Sequence, residues 1–264
     1  MDIKEFVFDF EGNTVHYKSF GKGKPLVILH GWGSNSDVML PLASTLKVKR
    51  TIYLVDFPGF GKSPEPTTAW TVSDYTRCIA TFINSISKTP ADILAHSFGG
   101  RVTLKLCSND DYKSLVDRVI ITGGAGMKPR RPPKYYLKKY TARFIRWPFT
   151  LLPKSMSEKS LEWLRTTYVW KALGSADYRT LKGVMRDTFV KTVSEYLEFT
   201  LPKIDHDVLL LWGANDDATP IYQAKIMERG IKNAGLAIID NAGHYAFLDR
   251  PHQFKVITET FLSS

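Results

Sequence analysis

Cysteine is nearly missing: Cys78 and Cys107 are the only two in 264 residues, and no CxxC spacing joins them. A disulfide framework and a cysteine-rich metal site are both excluded by that scarcity, and the two thiols read as structural. Long hydrophobic runs are missing too. No stretch approaches the roughly 18 apolar residues of a membrane span, and Met1-Asp2-Ile3-Lys4-Glu5 has neither the basic nor the apolar region of a targeting peptide. A soluble, cytoplasmic protein is the expectation. Phosphate-binding loops are lacking as well. Gly61-Lys62-Ser63 ends like a P-loop, but Asp56 stands where the first glycine is required, and no G-x-G-x-x-G is completed. No nucleotide cofactor and no metal is expected.

What is present suffices for a sizeable core, since 44% of the residues are hydrophobic and 23% charged. The net charge of +10 is unevenly spread. Residues 127–200 hold 16 Lys and Arg against 6 Asp and Glu, whereas the rest of the chain holds 20 of each. One segment therefore carries the whole excess, as an insertion with its own role would.

Two short alternating runs, Glu5 to Phe10 and Thr14 to Tyr17, flank Glu11-Gly12-Asn13 and predict an antiparallel hairpin. The pattern then changes to short, nearly continuous apolar runs: Pro25 to Leu29, Thr51 to Val55, Ala91 to Ala95, Val119 to Ile121, Val208 to Leu211 and Leu236 to Ile239. Runs of this kind suit parallel strands covered on both faces. Helical periodicity lies between them, over roughly 37–47, 72–88, 98–108, 221–232 and 251–262, with Thr71, Ser73 or Asp74 and Thr219-Pro220 offering caps or first-turn residues. Alternating strands and helices predict an α/β fold with a doubly wound, mostly parallel sheet. About eighty residues between Thr122 and Asp207 show helical segments but no convincing strand, and they coincide with the basic segment. The expected organisation is thus a core of 1–126 and 201–264 with a helical lid, 127–200, inserted into it.

The strongest local signal is Ala95-His96-Ser97-Phe98-Gly99-Gly100, after an apolar strand and before a helix. A serine there occupies a sharp strand-to-helix turn that exposes its hydroxyl and demands small neighbours. His30-Gly31-Trp32-Gly33 follows another strand, where glycines let backbone N–H groups face a developing oxyanion. Such donors are worth roughly 2.7–4 kcal/mol each to a transition state, and the Trp32 and Phe98 amides are the candidates. His30 is expected to organise the loop. Asp216 and His244 both lie beyond late strands, where open α/β sheets place their sites. Asp216, three residues after Gly213, is favoured over the adjacent Asp217. Among six histidines, only His244 occupies a loop beyond a late strand, beside Gly243. The chain order Ser97, Asp216, His244 is the order of a nucleophile elbow on an α/β sheet.

These motifs, with Asp56-Phe57-Pro58-Gly59-Phe60-Gly61-Lys62-Ser63, Trp212-Gly213 and Gly243-His244 followed by Pro251 and Phe254, make the chain resemble the α/β-hydrolase fold superfamily along nearly its whole length. The likeness is to the lid-bearing lineage of small serine esterases and acyl hydrolases. Ala95 departs from the usual G-x-S-x-G by one methyl. The resemblance implies a metal-free serine hydrolase with an ester or related acyl substrate, Ser97, Asp216 and His244 as its triad, and no cofactor. Because serine holds the nucleophile position, the dehalogenase and epoxide hydrolase branches are not implied. Two alternatives stay open: a carbon-carbon hydrolase or lyase on a dicarbonyl metabolite, some members of which carry an arginine where Arg101 stands, and a non-catalytic ligand-binding member of the fold.

From Met127 to Phe149 there are eight Lys or Arg, no acid, and Tyr135, Tyr136, Tyr140, Phe144, Trp147 and Phe149 interleaved. A solvated helix with an aromatic face is the plain reading. An anionic membrane surface or an anionic substrate is the other expectation. Nucleic acid is not expected, because no nucleic-acid module accompanies the charge.

Overall fold

The computed structural model describes residues 2–46, 49–130, 140–141, 147–148 and 181–263. Its contacts fall into two compact units, Met1–Lys128 with Val190–Ser264, and Pro129–Phe189. Most of the expected lid lies outside the described residues.

Eight strands form one sheet: β1 Lys4–Phe10, β2 Asn13–Gly21, β3 Lys24–Leu29, β4 Arg50–Val55, β5 Ala91–His96, β6 Val116–Thr122, β7 Asp207–Gly213 and β8 Asn233–Ile239. They are ordered β1-β2-β4-β3-β5-β6-β7-β8, antiparallel at the β1-β2 and β2-β4 pairs and parallel from β4 onward. The predicted hairpin closes through Glu11 and Gly12, both at positive φ (51° and 78°). That is the backbone of a two-residue turn matching the twist of its strands. β5 is buried at all six positions, as its continuous apolar run requires. Its second residue, Asp92, is a fully buried carboxylate that accepts from Lys24 Nζ at 2.6 Å and Arg50 Nε at 2.8 Å. This ion cluster sits at the amino ends of the parallel strands, leaving their carboxyl ends for other work.

The helices follow from periodicity and capping. α1 is Ser36–Thr45, α2 Val72–Ile86, α3 Phe98–Cys107, α4 Gly183–Val193, α5 Ile221–Gly230, α6 Ala246–Asp249 and α7 Pro251–Ser263. In α2, Thr71 and Asp74 form the reciprocal capping box, and Tyr75, Cys78, Ile79, Phe82 and Ile83 make the buried stripe. Leu26, Ile28 and Leu54 of the sheet share one core cluster with Met39 and Leu42 of α1 and Phe254 and Leu262 of α7. α2 and α3 pack on one another, and α3 lies on β5 and β6. Both cysteines are buried and free. Of Thr219-Pro220, Pro220 takes the N-cap position of α5 without a side-chain cap bond, and Thr219 uses its hydroxyl elsewhere. The short α6 was not foreshadowed in the sequence. No helix among the described residues is long and apolar enough to cross a membrane.

Candidate active site

The carboxyl ends of β3, β5, β6, β7 and β8 present the loops that begin at His30, Ser97, Gly123, Ala214 and Asp240. Ser97 stands between β5 and α3 with φ 52° and ψ −107°, a conformation that L-residues avoid. The surroundings impose it. Ser97 N donates to Thr122 O at 3.0 Å, while Ser97 O accepts from Ala125 N at 2.9 Å and from Arg101 N at 3.3 Å. Gly99 is needed because a Cβ there would lie 2.6 Å from Leu29 O and 2.8 Å from Leu29 Cβ. The elbow therefore depends on α3 starting hard against β3, and Ala95, fully buried, is accommodated in it.

The His30 loop is fastened to this elbow. Gly99 N donates to His30 O at 3.1 Å, and the ring of Trp32 packs edge-on against Phe98 (5.4 Å between centroids) and Phe60 (4.8 Å). His30 Nδ1–H donates to Gly31 O at 2.7 Å, and Nε2 accepts from Phe57 N at 3.0 Å. Burial pushes this imidazole down to about 4, so it stays neutral with a defined tautomer. It organises the loop, as expected. The Asp56 to Ser63 motif is a backbone staple of the same kind: the Asp56 carboxylate accepts from Ser36 N at 2.6 Å and Lys62 N at 3.0 Å. Phe98 opens α3, so its N–H has no acceptor within the helix.

Of the two adjacent acids, Asp216 is buried and Asp217 exposed. His244 Nδ1 donates to Asp216 Oδ2 at 2.9 Å and approaches Oδ1 at 3.1 Å. Ala218 N and Thr219 N donate to Oδ1 at 2.9 and 2.8 Å, and Thr219 Oγ1 donates to Oδ2 at 2.8 Å. Burial by itself would raise the Asp216 carboxyl, but the hydrogen bonds from His244 and Thr219 outweigh it and hold the group below its usual value. Gly123, at φ 53°, backs the pair: a Cβ there would come within 2.9 Å of His244 Nδ1 and 3.2 Å of Asp216 Oδ2. Among the described residues, neither Ser97 Oγ nor His244 Nε2 has a hydrogen-bond partner. The acid and the imidazole are thus joined, and the hydroxyl stands on the neighbouring loop without a direct bond to the ring.

His96 links those loops. Its Nε2–H donates to His244 O at 3.1 Å, and its ring lies 4.7 Å from that of His244 and 4.8 Å from that of Tyr245. Burial, aided by the neighbouring His244, pushes it down to about 3. The remaining histidines lie apart: His206 binds Lys113 O, His252 is exposed, and His16 sits in β2. Arg101 is buried in α3, where its guanidinium donates to Thr192 O at 2.6 Å and to Glu195 O. No group of three or more potential metal ligands gathers among the described residues.

A sequence-family model described as "alpha/beta hydrolase fold" matches residues 24–251. The chain belongs to the alpha/beta hydrolase fold family. Among curated alpha/beta hydrolases, it is 23% identical over 273 residues to the pimeloyl-acyl-carrier-protein methyl ester esterase of Nitrosomonas europaea, covering 91% of this chain and 96% of that one. It is 24% identical over 280 residues to the monoacylglycerol lipase ABHD6 of Rattus norvegicus, covering 98% and 80%. Among solved structures, the esterase EaEST from Exiguobacterium antarcticum superposes with a TM-score of 0.72 at 22% identity, over 96% of this chain and 97% of that one. A membrane phospholipase A described as a bacterial virulence factor gives 0.76 at 20% identity, over 99% and 86%. Sequence reasoning on this alpha/beta hydrolase assigned no site role to Gly123 or Thr219. Only Thr219 carried a readable signal, a hydroxyl three residues after an acid, which is the spacing of a side-chain-to-backbone turn.

Proposed function

We propose that this protein is a serine hydrolase that cleaves a carboxylic ester or related acyl compound through an acyl-enzyme. The observation that carries the proposal is the part-buried Asp216–His244 hydrogen bond beside a serine held at positive φ. With its Nδ1–H given to Asp216, the imidazole has its Nε2 lone pair available for a proton. In the proposed reaction His244 Nε2 takes the Ser97 proton as Oγ attacks the acyl carbon, and Asp216 holds the ring and stabilises the imidazolium. The Trp32 and Phe98 amides receive the oxyanion. His244 then protonates the leaving alcohol, and water attacks the acyl-enzyme by the same route in reverse. Closing the Oγ to Nε2 gap belongs to the substrate complex, since such bonds tighten there. The basic segment 127–200 is proposed as a helical lid inserted into the core.

The carbon-carbon alternative is weakened at Arg101. Its Nη1 donates to the backbone carbonyls of Thr192 and Glu195, so the side chain serves there as a clamp on the chain. Short p-nitrophenyl esters and a fluorophosphonate probe, applied to the wild type and Ser97→Ala, test the proposal. Turnover and labelling confined to the wild type support it. Equal rates in the two proteins would remove Ser97 from the mechanism, and an unlabelled, inert wild type would favour a binding protein.

A further inference from the structure

We propose that Thr219 is a positioning residue for the acid–imidazole pair, setting both the orientation of the Asp216 carboxylate and the tautomer of His244; this rests on the serine hydrolase reading above. A carboxylate can only accept, so the 2.8 Å contact between Thr219 Oγ1 and Asp216 Oδ2 fixes the hydroxyl as donor. Its proton is then spent, and what it turns toward His244 Nδ1, 3.4 Å away, is a lone pair. Nδ1 is therefore surrounded by acceptors: two carboxylate oxygens and one hydroxyl oxygen. Only the tautomer with hydrogen on Nδ1 satisfies them, and that tautomer leaves Nε2 able to accept the Ser97 proton.

The threonine is itself immobilised. The Trp212 indole is fully buried, and its Nε1–H donates to Thr219 O at 2.7 Å. Thr219 N is held by Asp216 Oδ1 at 2.8 Å, and Pro220 follows at the start of α5. A relay of fixed groups thus runs from the sheet core at Trp212 through Thr219 to Asp216 and the imidazole. Removing the hydroxyl leaves Asp216 its two amide donors and its charge but frees the carboxylate plane to rotate about them. The fault lies in ring geometry during proton transfer, so substrate affinity should be untouched.

The test compares Thr219→Val with the wild type, and Thr219→Ser with Thr219→Ala, on a p-nitrophenyl ester. The second pair isolates the hydroxyl should the valine variant fold poorly. The expected result is a fall in kcat of about tenfold in Thr219→Val at unchanged KM, consistent with a sub-ångström misplacement. Thr219→Ser should recover most of the wild-type kcat and Thr219→Ala should not. The far-downfield proton resonance of the Nδ1–H to Asp216 bond should be present in the wild type and Thr219→Ser and broadened in Thr219→Val. An active wild type with kcat within twofold in both Thr219→Val and Thr219→Ala overturns this inference alone. A wild type that neither turns over esters nor takes a fluorophosphonate overturns the hydrolase reading and this inference with it.

Discussion

Gly123→Ala separates the geometry of the site from the stability of the fold. Gly123 has φ 53°, and an added Cβ would meet His244 Nδ1 at 2.9 Å, His244 Cε1 at 3.0 Å and Asp216 Oδ2 at 3.2 Å. Ordinary contact begins near 3.4 Å, so the imidazole or the loop carrying it must retreat by about half an ångström. Alanine in left-handed backbone costs about 1–2 kcal/mol. In a chain of this size that lowers Tm by roughly 2–8 °C. Misplacing a reacting group by about 1 Å costs on the order of a hundredfold in rate, so a half-ångström shift should cost about tenfold in kcat/KM. Gly12→Ala is the control: Gly12 also has positive φ, at 78°, but a Cβ there meets nothing within 4 Å. Both variants should lose similar stability by circular dichroism melting, and only Gly123→Ala should lose ester turnover. Wild-type kcat/KM in Gly123→Ala, or an equal loss in Gly12→Ala, would refute the argument that this glycine sets the imidazole.

The adjacent acids give a sharper comparison: Asp216→Asn should lower kcat by up to ~10⁴-fold, while exposed Asp217→Asn should change it less than about twofold. Reversed magnitudes would move the acid to Asp217. Acid stability follows from the buried imidazoles. His30 and His96 are depressed to about 4 and about 3, so below their ordinary value the unfolded chain binds protons that the fold refuses. Stability is therefore present above about pH 6.5 and falls with pH through that window, by roughly 2–3 kcal/mol per histidine by about pH 4.5. The depressed Asp216 carboxyl acts in the same direction at lower pH. Urea midpoints that stay flat between about pH 7 and about pH 5 would contradict this account. Any vesicle binding by the basic segment 127–200 should require anionic lipid and weaken as salt is raised, because screening shortens the reach of its 16 positive side chains. Equal binding to neutral vesicles would overturn the electrostatic basis.

Local chemistry explains why so much of the core was legible in advance. The nearly continuous apolar run Ala91 to Ala95 suits a strand buried on both faces, and β5 is that strand. Thr71 and Asp74 mark the start of α2 because their side chains serve amides that the helix cannot. The elbow could be placed because a strand ending in Ala95-His96 and a helix opening with Phe98-Gly99-Gly100 leave the serine one position to occupy. These signals lie within a few residues of one another, and short-range sterics and hydrogen bonding read them directly. Gly123 shows where such reading stops: its glycine looks like an ordinary loop residue until β6 and β8 bring it against His244, 121 positions away.

By itself, the sequence determined the order of strands and helices, the strained turn at Ser97 and the residue types available to each loop, because backbone conformation and hydrophobic period are local properties. Only the tertiary structure decided that Asp216 meets His244 across 28 positions and that Arg101 Nη1 reaches the carbonyls of Thr192 and Glu195. Those outcomes depend on which distant side chains arrive within about 3 Å of one another. That is settled by how the sheet twists and the helices pack, and no spacing along the chain records it.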